Sequence, residues 1–107
     1  MKAVREKETS AKPSQRRAAQ RAPVRATARL REPGRNPFDV ELFDLSAMGF
    51  RMKTFARLQI DTKIWVSLPG LEPLEAIVRR NDEIDYGCEF SRPLHPAVAA
   101  HLQRLLH

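Results

Sequence analysis

The sequence predicts a mainly β domain, a small six-stranded antiparallel barrel followed by one C-terminal helix. Three observations carry this. Apolar residues recur at every second position in six short runs, the period of a strand with one buried face. Turn-forming Pro, Gly, Asn and Asp separate the runs. After residue 93 the apolar spacing changes to that of a helix. Six short strands with turn signals between them suggest a sheet closed on itself, since closure removes exposed edges.

The elements follow in order. Residues 1–13 are rich in Lys, Glu, Ser and Thr without apolar periodicity, and are expected to form a disordered tail. Residues 14–23 carry Arg16, Arg17 and Arg21 and end at Pro23, which disfavours helix at Ala22, so this segment reads as a flexible arm. The barrel is expected over 24–91. Its first strand alternates Val24, Ala26, Ala28 and Leu30 with Arg25, Thr27, Arg29 and Arg31, giving a basic outer face. "EPGRNP" (32–37) is turn chemistry. The second strand sets Phe38, Val40 and Leu42 against Asp39, Glu41 and Phe43, and the short connection makes it antiparallel to the first.

"DLSAMG" (44–49) interrupts the alternation, placing Asp44 where an apolar residue is due. "FRMK" (50–53) resumes it with Phe50 and Met52 inward. Three further strands place Ile64, Val66 and Leu68, then Leu74, Ala76 and Val78, then Ile84, Tyr86, Cys88 and Phe90 on the inner face. In the last segment Leu94, Val98, Leu102 and Leu105 fall at near-helical spacing, with Pro96 suited to a first turn. A helix over 94–106 is expected to pack on the barrel.

With 107 residues the chain has room for one core. A single cysteine, Cys88, allows neither an internal disulfide nor a CxxC metal pair, and in phase with Tyr86 and Phe90 it reads as a small buried apolar residue. No run is long and apolar enough for a membrane span or a secretory leader. A cytoplasmic protein is expected. The charge is uneven. Residues 1–35 carry eleven Lys/Arg against Glu6, Glu8 and Glu32, a net of +8, whereas residues 36–107 carry eight against ten, a net of −2. An anionic partner is therefore expected at the N-terminal end.

Two motifs could meet it. Guanidinium forks at Arg16, Arg17 and Arg21 can grip a phosphate or the O6/N7 edge of guanine, or stack on a base; the plain alternative is a solvated basic tail. Asp44, Ser46 and Gly49 can close a tight turn through side-chain bonds to nearby amides, with Gly49 in a conformation open to few other residues. Turned outward, Asp44 can instead accept from guanine N–H groups, Ser46 can bond a phosphate or base, and Gly49 can admit a ligand to the backbone.

Arg17-x-x-x-Arg21 followed by Asp44-x-Ser46-x-x-Gly49 closely resembles the signature of the PilZ domain family of bacterial cyclic-di-GMP receptors. The later "WVSLPGLEPLEAIVRR" and "YGCEFSRPLHPAV", with Gly87-x-x-Phe90, are similar to that family's last strands and its approach to the helix, so the likeness spans roughly residues 14–106. The resemblance implies a six-stranded barrel with a C-terminal helix, with cyclic-di-GMP on the barrel exterior. By position, Arg17 and Arg21 would bind phosphate and guanine, and Asp44, Ser46 and Gly49 would form the turn that reads the base. Arg16 adds a guanidinium suited to a second, stacked ligand molecule. The arm would become ordered on the ligand and the change would be passed to a protein effector in trans, in motility, exopolysaccharide synthesis or virulence.

No cofactor, membrane insertion or stable nucleic-acid complex is expected. Enzymatic activity is not expected either, since no paired carboxylates or nucleophile–His set is evident and His95, His101 and His107 all fall in the last segment. One alternative is a barrel of OB or cold-shock type binding single-stranded nucleic acid, although only Phe43 and Trp65 are outward aromatics. Another is a PilZ-like adaptor acting by protein contacts alone. Trp65, out of phase with its neighbours, is expected on the outer face and packed under the helix; Arg79 and Arg80 could add to a ligand patch, although strand-end arginines are usually solvated.

Overall fold

The structure, a computed structural model, describes residues 20–107. The tail over 1–13 and most of the arm, including Arg16 and Arg17, lie outside the described residues. Six strands follow: β1 (Ala22–Arg31), β2 (Phe38–Leu45), β3 (Gly49–Lys53), β4 (Lys63–Ser67), β5 (Leu74–Asp82) and β6 (Asp85–Phe90), then the helix α1 (Pro96–Leu105). All neighbours are antiparallel, and the sheet closes in the order β1-β2-β3-β6-β5-β4, with Leu30 opposite Val66 where β4 meets β1. Closure leaves no strand with an unpaired edge.

The alternation read from the sequence accounts for most of the core. Val24, Ala28, Leu30, Val40, Leu42, Phe50, Met52, Ile64, Val66, Ala76, Val78, Tyr86, Cys88 and Phe90 are all buried in one cluster. Ile84 is an exception. It sits in the β5–β6 turn and is exposed, because the turn needs Glu83 at a φ of 59° and releases the chain from the strand phase. Leu45, Ala47 and Leu58 are buried from positions outside the expected pattern.

Two irregularities position the candidate site. On β2, Leu42 pairs with Met52 but Asp44 pairs with Arg51, so Phe43 is an extra residue opposite β3. On β1, Pro23 pairs with Asp44 and Ala26 with Leu42, so β1 bulges over the same place. A bulge inserts one residue and reverses the inside–outside phase beyond it. Asp44 is thereby turned outward and Leu45 becomes fully buried. The interruption expected at Asp44 is a change of phase within a strand, and the turn proper begins at Ser46.

α1 starts at Pro96, and the N-cap His95 accepts a hydrogen bond from Ala97 N at Nδ1 (3.0 Å), satisfying an amide that has no partner inside the helix. Ala99 and Leu102 are its buried residues, with Leu94, Val98 and Leu106 packed beside them. Leu105, expected inward, is 56% exposed. The stripe 94, 98, 102, 106 keeps an i,i+4 spacing, which brings Leu106 rather than Leu105 onto the barrel side. Trp65 is on the outer face as expected, but Arg31 covers it, with its guanidinium 4.5 Å from the ring centroid; the expected packing under the helix is replaced by this cation–π contact.

Candidate functional site

A groove of about 380 Å³ lies on the barrel exterior over β3, β6 and the end of β5. Arg21, Ser46, Gly49, Arg51, Arg80 and Gly87 line one part of it, and Asp82, Asp85 and Glu89 put carboxylates on its wall as well. Arg21 comes from the chain just before β1, Ser46 and Gly49 from the β2–β3 turn, and Arg51 from the outer face of β3. Thus the described signature residues are brought together: Arg21, Ser46 and Gly49 line the groove, and Asp44 stands at its rim between Arg21 and Arg51.

Asp44 Oδ2 is 3.5 Å from Arg21 Nη1 and 3.7 Å from Arg51 Nη1, and its side chain is only 14% exposed. One carboxylate facing two guanidinium groups leaves a net positive corner. Both distances are long for hydrogen bonds, so both forks keep donors for another acceptor. Arg51 also lies over the Phe43 ring, 5.0 Å from its centroid. Of the two readings of Asp44 the structure favours the outward one: among the described residues no backbone amide donates to it, and its partners are the two arginines.

Ser46 builds the turn. Its Oγ accepts from Met48 N (3.1 Å) and Gly49 N (3.2 Å), while Ser46 N donates to Gly49 O (2.9 Å), all within a buried residue's surroundings. The neighbouring Met48 O accepts from Phe90 N at 2.8 Å, fastening the turn to the end of β6. Gly49 is required for a different reason from the conformational one expected: its φ is not in the left-handed region, but a Cβ there would stand 2.0 Å from the Cys88 carbonyl oxygen. The side-chain position of Gly49 is thus taken by the backbone of β6, and that of Gly87 by the aliphatic part of Arg80.

The two arginines of β5 differ. Arg79 donates to Glu89 Oε1 and Asp61 Oδ1, both at 2.9 Å, and these carboxylates hold its pKa above the ordinary value, the Glu89 hydrogen bond contributing most. Its charge is answered within the surface. Arg80 has no carboxylate within 4 Å among the described residues and is available to a bound anion. The sequence offers Arg79 and Arg80 as additions to a ligand patch, and the structure brings both to the groove wall, whereas Arg51 has no role in the sequence reading. The signal for Arg51 was its outward phase on β3, but only the Phe43 bulge sets it against Asp44.

Other expected features take structural places. Burial pushes the Cys88 thiol up to about 12, so it is protonated and unreactive at neutral pH. Among the described residues no cluster of three metal-ligating side chains occurs, and no helix is long and apolar enough to cross a membrane.

The closed barrel thus carries on its outside an open groove with four arginines, Arg21, Arg51, Arg79 and Arg80, and three carboxylates, Asp82, Asp85 and Glu89, on its walls. The PilZ domain family matches residues 15–107, and the chain belongs to that family, one of cyclic-di-GMP receptors rather than enzymes. The fold is also similar to the crystal structure of the PilZ domain of CeSA from a cellulose-synthesizing bacterium, at a TM-score of 0.60 and 20% identity over 82% of this chain and 95% of that one. No curated protein matches the chain.

Proposed function

We propose that this domain binds cyclic-di-GMP in the exterior groove and presents the liganded surface to a protein effector. The observation that carries the reading is the convergence of Arg21, Asp44, Arg51 and Arg80 on one exterior groove, next to the Gly49 turn. A cyclic dinucleotide offers two phosphates and two guanines. Arg21, with Arg16 and Arg17 of the arm, supplies forks for the phosphates and for guanine O6/N7. Asp44, which accepts only, suits the guanine N1–H and N2–H edge. Ser46 holds the turn that aims Asp44, and Gly49 lets that turn lie against β6.

The arm's ordering is the output. A dianion neutralises clustered arginines that otherwise repel one another, and the ordered segment reshapes the surface met by the partner. Arg16 suits a second ligand molecule stacked on the first, giving two per chain. The aromatics argue against a single-strand nucleic-acid platform: on the strands Phe43 is covered by Arg51 and Lys53, and Trp65 by Arg31, which leaves Phe55, 89% exposed between β3 and β4, as a lone ring rather than a row of stacking faces.

Isothermal titration with cyclic-di-GMP tests the reading, run beside Arg17→Ala, Asp44→Ala and a GTP control. Micromolar or tighter binding to the wild type, abolished in both variants and absent with GTP, is expected. No binding to the wild type refutes it, and saturation at one molecule per chain refutes the stacked pair.

A further inference from the structure

We infer that Gln103 of α1 is a positioning residue that ties the arginine arm and the Asp44–Ser46 segment to one another and to the helix, so that α1 responds to the groove's occupancy. The response, though not the tie itself, rests on the cyclic-di-GMP reading of the groove. The Gln103 carboxamide nitrogen donates to Leu45 O at 2.8 Å and to Gln20 O at 3.2 Å. Leu45 follows Asp44 and Gln20 precedes Arg21, so one side-chain amide holds the backbone beside both members of the Arg21–Asp44 pair.

The location explains why such a tie is needed. The last β1–β2 pair is Ala22 with Leu45, and Gln20 lies beyond the ladder. An NH2 group has two hydrogens; here one goes to each strand end, carrying the pairing one step past the sheet. The Arg21–Asp44 ion pair is itself long, at 3.5 Å, so backbone placement rather than that pair sets their distance.

Two more bonds bring the same elements to the C-terminal segment. Arg25 N, in the β1 bulge, donates to Leu106 O at 2.7 Å, and Leu94 N donates to Ala47 O at 2.8 Å. The arm side is held at Gln20 and Arg25 and the turn side at Leu45 and Ala47. Ala99 and Leu102 anchor α1 in the core, so the helix keeps its place and its response is confined to the stability of the last turn, where Gln103 lies. Of the two Gln103 bonds, the one to Leu45 is partly buried and the one to Gln20 is exposed. The Gln20 bond is the adjustable half, strengthened when a ligand pins Arg21 against the groove.

The test compares the wild type with Gln103→Ala, Gln103→Glu and Gln103→Lys, using titration with cyclic-di-GMP and amide hydrogen exchange over residues 20–25 and 96–106. Ligand should slow exchange in the last turn of α1 in the wild type. Gln103→Ala and Gln103→Glu, which lack the donors, should bind about threefold to tenfold more weakly and lose that helix response. Gln103→Lys keeps a donor at similar reach and should restore both. Binding and helix response unchanged in Gln103→Ala, even with a lowered melting temperature, would overturn the inference, since a merely structural residue behaves that way. Exchange in the free protein separates the two readings. If the wild type fails to bind, faster exchange at Arg21 and Ala22 in Gln103→Ala upholds the tie and removes only the receptor reading, while unchanged exchange overturns the tie as well.

Discussion

Gly49→Ala puts a methyl group into the backbone of the neighbouring strand. The new carbon would lie 2.0 Å from Cys88 O, 3.0 Å from Glu89 Cα and 3.1 Å from Cys88 C, where ordinary contact begins near 3.4 Å. No rotamer relieves this, because Cβ has none and the obstruction is main chain. The strands must part locally by about 1.4 Å, which takes a ladder hydrogen bond beyond its useful range. The pairs at risk are Gly49–Glu89 and Phe50–Cys88, together with the Phe90 N to Met48 O bond that fastens the turn. Two or three bonds at about 1 kcal/mol each, with some loosening around buried Phe50, give a loss of about 2–4 kcal/mol. In a domain of this size that lowers the melting temperature by about 10–20 °C.

Urea unfolding followed by circular dichroism measures the loss, and Gly70→Ala is the control. Gly70 has a φ of 77° with nothing within 4 Å of the added carbon, so its substitution costs only the left-handed backbone strain, about 1–2 kcal/mol. A Gly49→Ala protein within about 0.5 kcal/mol of the wild type, the spread of an ordinary surface substitution, or one no worse than Gly70→Ala, would refute close approach as the reason for this glycine.

Three further substitutions probe other parts of the molecule. Tyr86→Phe removes the hydroxyl that accepts from Leu58 N (3.2 Å) and donates to Ala56 O (3.0 Å); a stability loss of about 1–3 kcal/mol is expected in urea unfolding, with faster proteolysis between β3 and β4. Burial raises the Cys88 pKa from 9.0 to about 12, so the folded state keeps a proton that the unfolded chain loses. Its contribution to stability is complete below about pH 9 and declines by about 1.4 kcal/mol per unit as the pH rises toward 12; unfolding midpoints at pH 8, 9 and 10 should converge between the wild type and Cys88→Ala as the pH rises. Arg80→Ala should leave the melting temperature unchanged and weaken cyclic-di-GMP binding about tenfold, because it deletes a charge-assisted hydrogen bond to phosphate; titration reads the difference.

Much of the barrel is legible because its physics is local. Each strand buries alternate residues, and Val40, Met52, Ile64 and Val78 announce that face in any order of pairing. Features that depend on pairing are not visible one strand at a time. Asp44 looked like a break in a strand because the bulge at Phe43 exists only in relation to Met52 and Arg51 across the ladder. Gly49 looked like a conformational glycine because the Cys88 carbonyl that excludes a side chain belongs to β6, distant in the chain. Leu105 and Leu106 are equally apolar, and the azimuth at which α1 docks decides between them. For the candidate site, the signature residues were readable as chemistry, but Arg51 and Arg80 needed the closed sheet to bring β3, β6 and β5 side by side.

The bulge on β2 also gives two consecutive residues one face. In a regular strand Phe43 and Asp44 would point to opposite sides of the sheet, and no single cation could meet both. Here the Arg51 guanidinium lies 5.0 Å from the ring centroid of one and 3.7 Å from the carboxylate of the other. Deleting Phe43 would restore plain alternation, with Asp44 still outward and Leu45 still inward, so every signature residue would keep its place. A motif scan would report such a protein as intact. Its Arg51 would have lost the ring beneath it and kept a single long ion pair, leaving the cation free to swing out of the groove.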